Sequence, residues 1–460
     1  MRKIVKLFSS IGFDKVVSAN VFCQVVILVT SPVTLYFIGT SFSREAQGYY
    51  YTFASVLGLQ NFLELGFSQC IVNFSSHEFA NLEIRKDGAL SGDGRSKSRL
   101  ISIIRLSLKW YSAIAVFIMF FVCLGGYFFF HFQKDYGIVW VIPWVCLCFI
   151  TAVSIILLPI GSILEGCNQY LWLANSRMWT KLFGSIALWI ALINGLGLYS
   201  ASISLIVSTT LFIIAFVRKW KGLIFQVLHS NITHSISWID EIWPFQWKVA
   251  VGWICGFFIF SLFNPVLFAF QGAIVAGQMG MTWAITSSLN GMANIWTNTK
   301  ASKFGIYVAK RNNKDLDSLW LKSTIQSVLI CLIGSVVVIL IIMFIKKHYL
   351  IGERFLGISE ILILCFASVV NQVIFSENLY LRAHQREPLL LVFVFNAFFT
   401  GLAVYLFGRY LNVFAVCASY AFFLTLSAFF STIIFIKHRK KWSQSYYKYS
   451  LSRNYELSYM

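Results

Sequence analysis

Twelve apolar stretches constrain this chain more than any other feature. They lie at 16–39, 47–72, 107–130, 138–162, 177–196, 198–217, 248–270, 276–298, 321–345, 355–377, 388–407 and 411–436. A helix rises about 1.5 Å per residue, so roughly 20 apolar residues cross a hydrocarbon layer about 30 Å thick. Lipid offers no partner to a backbone N–H or C=O, so a spanning segment must satisfy its own, as a helix or in a closed barrel. A barrel needs alternation with a period of two, and these runs are continuous. Composition excludes a water-soluble core: 58% of the 460 residues are hydrophobic and 12% charged, against about 25% charged in soluble domains. Mean hydropathy is +0.73. The sequence predicts an all-α polytopic membrane protein with about twelve transmembrane helices. The opening segment MRKIVKLFSSIGFDK is basic and amphipathic and predicts a short helix over 4–14 on the membrane surface.

The formal charge of +19 invites a nucleic-acid reading, but its distribution excludes it. With twelve spans and an internal N-terminus, only Arg44, Lys134, Lys346, Lys347, Arg354 and Arg409 fall outside. The other 31 of the 37 lysines and arginines fall inside. That asymmetry is the positive-inside rule. It predicts both termini in the cytoplasm and membrane lipids, not nucleic acid, as partners. The ten cysteines contain no CxxC pair, the seven histidines show no metal spacing, and no Gly-rich phosphate loop or nucleophile elbow occurs. No cofactor, metal or catalytic residue is expected.

The chain repeats itself. PVTLYFIGTSFSREAQGYYYTFASVLGL from Pro32 resembles PVLFAFQGAIVAGQMGMTWAITSSLNGM from Pro265. Gly48 stands 16 residues after the first proline and Gly280 15 after the second. LEGCNQYLWL at 164–173 lies over LRAHQREPLL at 381–390, and the insert DGALSGDGRSKS at 87–98 reads as a flexible cytoplasmic loop. Six runs precede residues 218–247 and six follow. The expected organisation is therefore a six-helix lobe at 1–217, a cytoplasmic linker at 218–247, a second six-helix lobe at 248–436 and a basic tail at 437–460. Two lobes with one orientation are parallel repeats, and such folds place a central cavity between the repeats. The linker mixes cations with tryptophans and suits the headgroup level. Pro32 and Pro265 fall inside matching spans, where proline removes a backbone hydrogen bond. Each reads as a hinge, or as a static kink.

Polar residues inside the spans are the candidate site. At helical spacing Asn61, Glu64 and Ser68 share one face. An acidic residue at the bilayer centre costs about 2.5–3.5 kcal/mol on insertion scales, so this face should line a wet cavity or meet another polar helix. Glu64 then takes up a proton or cation, hydrogen-bonds a polar substrate, or ties helices together. In the eighth run Thr286, Asn290, Asn294 and Thr297 share a face. They suit neutral hydroxyl groups of a substrate and equally suit helix–helix hydrogen bonds.

The stretch AQGYYYTFASVLGLQNFLELGF, with Gly48-Tyr49 and Glu64-Leu65-Gly66, resembles the signature of bacterial polysaccharide repeat-unit flippases of the O-antigen and capsule type. These belong to the multidrug/oligosaccharidyl-lipid/polysaccharide exporter superfamily. WPFQWKVAVGWICGFFIFSLFNPVLFAFQG, AGQMGM and YLRAHQREP are similar to segments of its polysaccharide exporters. The resemblance covers roughly 30–440. It implies two six-helix lobes around a central cavity and a bacterial cytoplasmic membrane. It also implies alternating access for a lipid-linked oligosaccharide, with polysaccharide polymerase machinery as a further partner. Many relatives place an arginine at the inner end of the second span, where this chain has Asn73. A phosphate contact therefore does not carry over to that position. The implied polyprenyl-pyrophosphate would meet cations at the cytoplasmic mouth: Arg177 and Lys181, Lys300, and Arg382 with Arg386. The positive-inside rule also places cations there.

A cation-coupled multidrug or small-molecule antiporter of the same superfamily stays open as the alternative. It predicts several clustered acids in one lobe. Here Glu64 alone reads as well inside a span, with Glu165, Glu360 and Glu377 near ends. A membrane glycosyltransferase or polymerase needs room outside the bilayer, and the outer segments near 131–137 and 346–354 are short.

Overall fold

The computed structural model describes the backbone of residues 26, 30–134, 136–384 and 387–458, and the side chains of these except 245, 248, 302, 309 and those from 443 onward. The expected surface helix over 4–14 and most of the first apolar run lie outside the described residues.

Helix α1 covers 30–41. Then come α2 (Arg44–Leu57), α3 (Leu59–Glu64) and α4 (Phe67–Phe79). A hairpin follows, β1 (Leu82–Ile84) antiparallel to β2 (Leu90–Gly92), with Glu83 opposite Ser91. Next are α5 (Gly94–His131), α6 (Val141–Gly166), α7 (Tyr170–Ile193), α8 (Tyr199–Lys219) and α9 (Lys221–His229). Then α10 (Trp243–Phe260), α11 (Phe263–Gln271), α12 (Ala273–Asn298) and α13 (Ala301–Ala309). The chain closes with α14 (Asn313–His348), α15 (Ile358–Ala383), α16 (Leu390–Tyr410) and α17 (Val413–Ser458). Side chains begin several helices: Ser43 accepts from the Ala46 N–H at 3.1 Å, Asp93 from Ser96 at 2.8 Å and Asn312 from Asp315 at 3.2 Å. Each satisfies a first-turn donor that the helix itself leaves open.

Among the described residues eight helices are long and apolar enough to cross a membrane, α10 and α11 counting as one. The fold is an all-α polytopic membrane fold. The other four expected runs fall short for local reasons. The first is only partly described. The second is broken into α2, α3 and α4. The remaining two, α7 and α12, are diluted by Asn175, Arg177 and Lys181 and by the Thr286–Thr297 stripe.

Two segments differ from expectation. Residues 87–98 form no free loop: they close the β-hairpin and start α5. The Gln226 side chain makes both backbone pairings of Leu90, accepting from its N–H at 2.8 Å and donating to its C=O at 3.1 Å. The tail continues as helix in α17. Arg439 grips Asp317 with Nε and Nη2 at 3.0 and 2.8 Å, and the Trp442 ring stacks on His384 at 3.8 Å between centroids.

The chain packs as two units, Met1–Gly280 and Met281–Met460. The expected border at 218–247 falls inside the first. The eighth and seventh spans pack on the second: Gln47 donates to the Gly277 carbonyl at 2.8 Å, and Asn264 Nδ2 to Ser55 Oγ at 3.1 Å. The glycines allow it, since a Cβ on Gly48 would collide with the Ala273 backbone and one on Gly280 with the Tyr51 ring. Lipid tails are as apolar as leucine, so close packing and such hydrogen bonds bind spans where the hydrophobic effect does not. The first unit's core is aromatic. Tyr49, Phe53, Phe130, Trp144 and Phe268 are almost fully buried, with Tyr49–Phe268 at 4.8 Å and Phe53–Trp144 at 5.0 Å between centroids. In the second unit Trp320, Tyr380 and Phe435 cluster with Phe304, Leu316, Leu381 and Leu389.

Candidate functional site

Glu64 ends α3. The next two residues, Leu65 at φ 50° and Gly66 at φ 65°, are left-handed. The expected common face of Asn61, Glu64 and Ser68 is therefore lost, because the helix breaks between Glu64 and Ser68. Asn61 is exposed, whereas Glu64 is buried. Gly66 lies under Val249 and Trp253 of α10, where any Cβ would strike both. That packing holds a leucine in a conformation costing about 1–2 kcal/mol for a residue with a side chain.

At the break Tyr111 of α5 donates to Glu64 Oε1 at 2.7 Å. Ser68, on the far side of the break, is half-buried. Phe67 stacks on Tyr111 at 6.2 Å and meets Trp110 edge-on at 5.8 Å, walling the pair with aromatic surface. Chemically this is a shielded carboxyl on a phenolic donor beside backbone that no longer follows helical bonding.

The α12 stripe does something different. Thr286 donates to its own helix, at 3.1 Å to the Trp283 carbonyl. Asn290 bridges helices: its Nδ2 donates to Ser368 Oγ at 3.1 Å, and its Oδ1 accepts from Gln372 Nε2 at 2.8 Å. Gln372 accepts in turn from Ser327 at 2.7 Å, and Ser327 also donates to the Ala293 carbonyl at 2.9 Å. One ladder thus joins α12, α14 and α15. Asn294 Oδ1 is buried with no partner among the described residues.

One residue was missed. Glu377 read as a span end, but α15 runs on to Ala383, which leaves the carboxyl inside the helix packing and 2% exposed. It accepts from Ser431 at 2.5 Å and Thr432 at 2.7 Å. The signal was present: Ser368, Gln372 and Ser376 recur every four residues on the helix that carries it.

The cations separate. Arg177 pairs with Glu165 at 3.7 Å and Arg382 with Glu387 at 3.4 Å, while Lys181 is exposed. Lys300, half-buried at the N-cap of α13, lies near Lys303 and Lys322. Burial and these two like charges hold its ammonium below the usual lysine range. Arg386 lies outside the described residues. Pro32 sits exposed in α1. Pro265 is the third residue of α11, just past Ser261-Leu262, where the seventh span breaks.

No protein-family model and no curated protein matches this sequence. Solved structures do match. An inward-facing multidrug-resistance MATE family transporter of the MOP superfamily superposes with TM-score 0.62 at 13% identity, covering 93% of this chain and 99% of that one. An outward-facing transporter of that description gives 0.56 at 14%, over 94% and 98%. A MOP superfamily transporter from Pyrococcus furiosus, described as having a binding pocket of reverse polarity, gives 0.52 at 14%, over 93% and 95%. At such identities the likeness defines the fold: a polytopic all-α membrane protein built as the MATE transporters of the MOP superfamily are.

Proposed function

We propose that the protein exports a lipid-linked oligosaccharide, a sugar repeat unit on polyprenyl pyrophosphate, across the cytoplasmic membrane of a bacterium by alternating access. Both termini lie in the cytoplasm in this reading, and the chain does no covalent chemistry. The fold supports the transport half, since its neighbours include inward-facing and outward-facing transporters.

The substrate half is carried by the Lys300, Lys303 and Lys322 grouping. Among the described residues none of the three is ion-paired, and their mutual repulsion is felt at Lys300. Unpaired ammonium groups at the cytoplasmic mouth attract a diphosphate and repel a cationic drug. Arg177, Lys181 and Arg382 are supporting cations at that level. Asn61, Glu64, Ser68, Thr286, Asn290 and Asn294 supply polar groups along the path, and Pro32 and Pro265 its bending points. One observation favours the antiporter alternative: Glu377 adds a second deeply placed acid to Glu64, and a cation-coupled pump needs such groups.

A strain lacking the protein separates the two. Our reading expects lipid-linked repeat units to accumulate in the inner leaflet and surface glycan to be lost, with the wild-type gene restoring both. Normal surface glycan with new sensitivity to cationic drugs would replace it with the antiporter.

A further inference from the structure

The linker between the first six and last six spans contains a helix that the proposed transport path does not use. Helix α9, Lys221–His229, is fastened at both ends to membrane-spanning helices. Its N-terminus follows α8 directly through Trp220. At its C-terminus Arg105 of α5 takes the Val227 and Ser230 carbonyls at 2.7 and 2.6 Å. The short helix is thus held against two long apolar helices at its two ends.

One face of α9 is satisfied. Gln226 pairs with Leu90, Gly222 donates to the Asp87 carbonyl at 3.0 Å, and Leu223 is buried. The opposite face carries Phe225 and Leu228, 63% and 69% exposed. They stand four and seven residues after Lys221 and so share its side of the helix. Helix α8, one residue before it, also exposes apolar side chains: Ile206, Ile213 and Val217. Arg218, Lys219 and Lys221 are exposed where the two helices meet, and Lys219 lies over the Trp172 and Trp220 rings at 5.6 and 5.2 Å. Buried aromatics beneath surface cations are the pattern of a headgroup-level anchor.

We propose that α9 is an in-plane membrane anchor. Phe225 and Leu228 enter the acyl boundary of the inner leaflet, and Arg218, Lys219 and Lys221 select anionic lipid phosphates. The anchor rests on the direct connection of α9 to α8, a long apolar helix with exposed apolar side chains, and on charge. It does not depend on what the protein transports.

The test uses the full-length protein in native membranes, with the photocrosslinking residue p-benzoylphenylalanine replacing Phe225 in one variant and Leu228 in another. After irradiation both are expected to gain the mass of membrane lipid, enriched in anionic species over their share of the membrane. Each basic residue near an anionic surface contributes about 1 kcal/mol, so Lys219→Gln with Lys221→Gln should cut that enrichment by roughly thirtyfold while leaving total lipid adducts in place. Adducts to another polypeptide at both positions, or correctly inserted protein with no adduct, would overturn the anchor. Anionic enrichment unchanged by the two lysine replacements would overturn the headgroup selection.

Discussion

Tyr111 donates a 2.7 Å hydrogen bond to Glu64 where the helix carrying that carboxylate ends in two left-handed residues. The phenol comes from α5 and the carboxyl from the last residue of α3, so the bond ties the edge of the break to α5. Removing the donor strands a buried acceptor. Tyr111→Phe is expected to lower stability in detergent or nanodiscs by about 1–3 kcal/mol. Glu64→Gln, which keeps an acceptor for Tyr111, should cost less. Equal losses for the two would show that the bond does not hold the break.

Gly66 is the second determinant of that break. Gly66→Ala is expected to cost about 1–2 kcal/mol for the left-handed backbone, plus the displacement of Trp253 and Val249. Trp253→Ala should restore part of the second loss. Wild-type thermal stability in Gly66→Ala would mean that the helix can close over Glu64.

The α12–α14–α15 ladder predicts graded effects. Interhelical hydrogen bonds in membranes average about 0.6 kcal/mol, with a maximum near 1.7. Ser368→Ala removes one bond and should cost close to the average. Gln372→Leu leaves Asn290 and Ser327 both short of a partner and should cost about 1–2 kcal/mol. Unfolding titrations of the two variants side by side check the order.

His384 makes stability depend on pH. Burial holds the imidazole below its usual range, opposed by its bond to the Tyr380 carbonyl and by Asp317. The folded state therefore takes up its proton at lower pH than the unfolded chain does. Between the two values the unfolded chain binds more protons, so stability is full above the ordinary histidine range and falls on acidification through the folded value. Melting curves from pH 8 to pH 5 should show this fall in the wild type and a flatter profile in His384→Gln. Parallel profiles would contradict it.

Much of the fold was legible because lipid imposes one requirement on every span, and a continuous apolar run meets it visibly. Runs 138–162 and 198–217 appear almost unchanged within α6 and α8. What stayed hidden depends on distant partners. Leucine is a good helix former, so nothing local marks Leu65 as left-handed; the Gly66 that follows it lies against Trp253 and Val249, nearly 190 residues away in sequence. The 82–92 hairpin is likewise fixed by Gln226, 136 residues from Leu90. Glu377 was misjudged because its apolar run ends there while its helix does not.

The most direct test of the transport account is flipping in proteoliposomes. The purified protein is reconstituted with a fluorescently labelled polyprenyl-pyrophosphate oligosaccharide, and a reagent confined to the outside reports which leaflet holds the sugar. The account predicts protein-dependent movement between leaflets, slowed at least about tenfold in the Lys300→Gln, Lys303→Gln, Lys322→Gln triple variant if each ammonium contributes as a charge-assisted contact. No movement of the labelled lipid by well-folded protein that exchanges cationic drugs for protons in the same vesicles would contradict it.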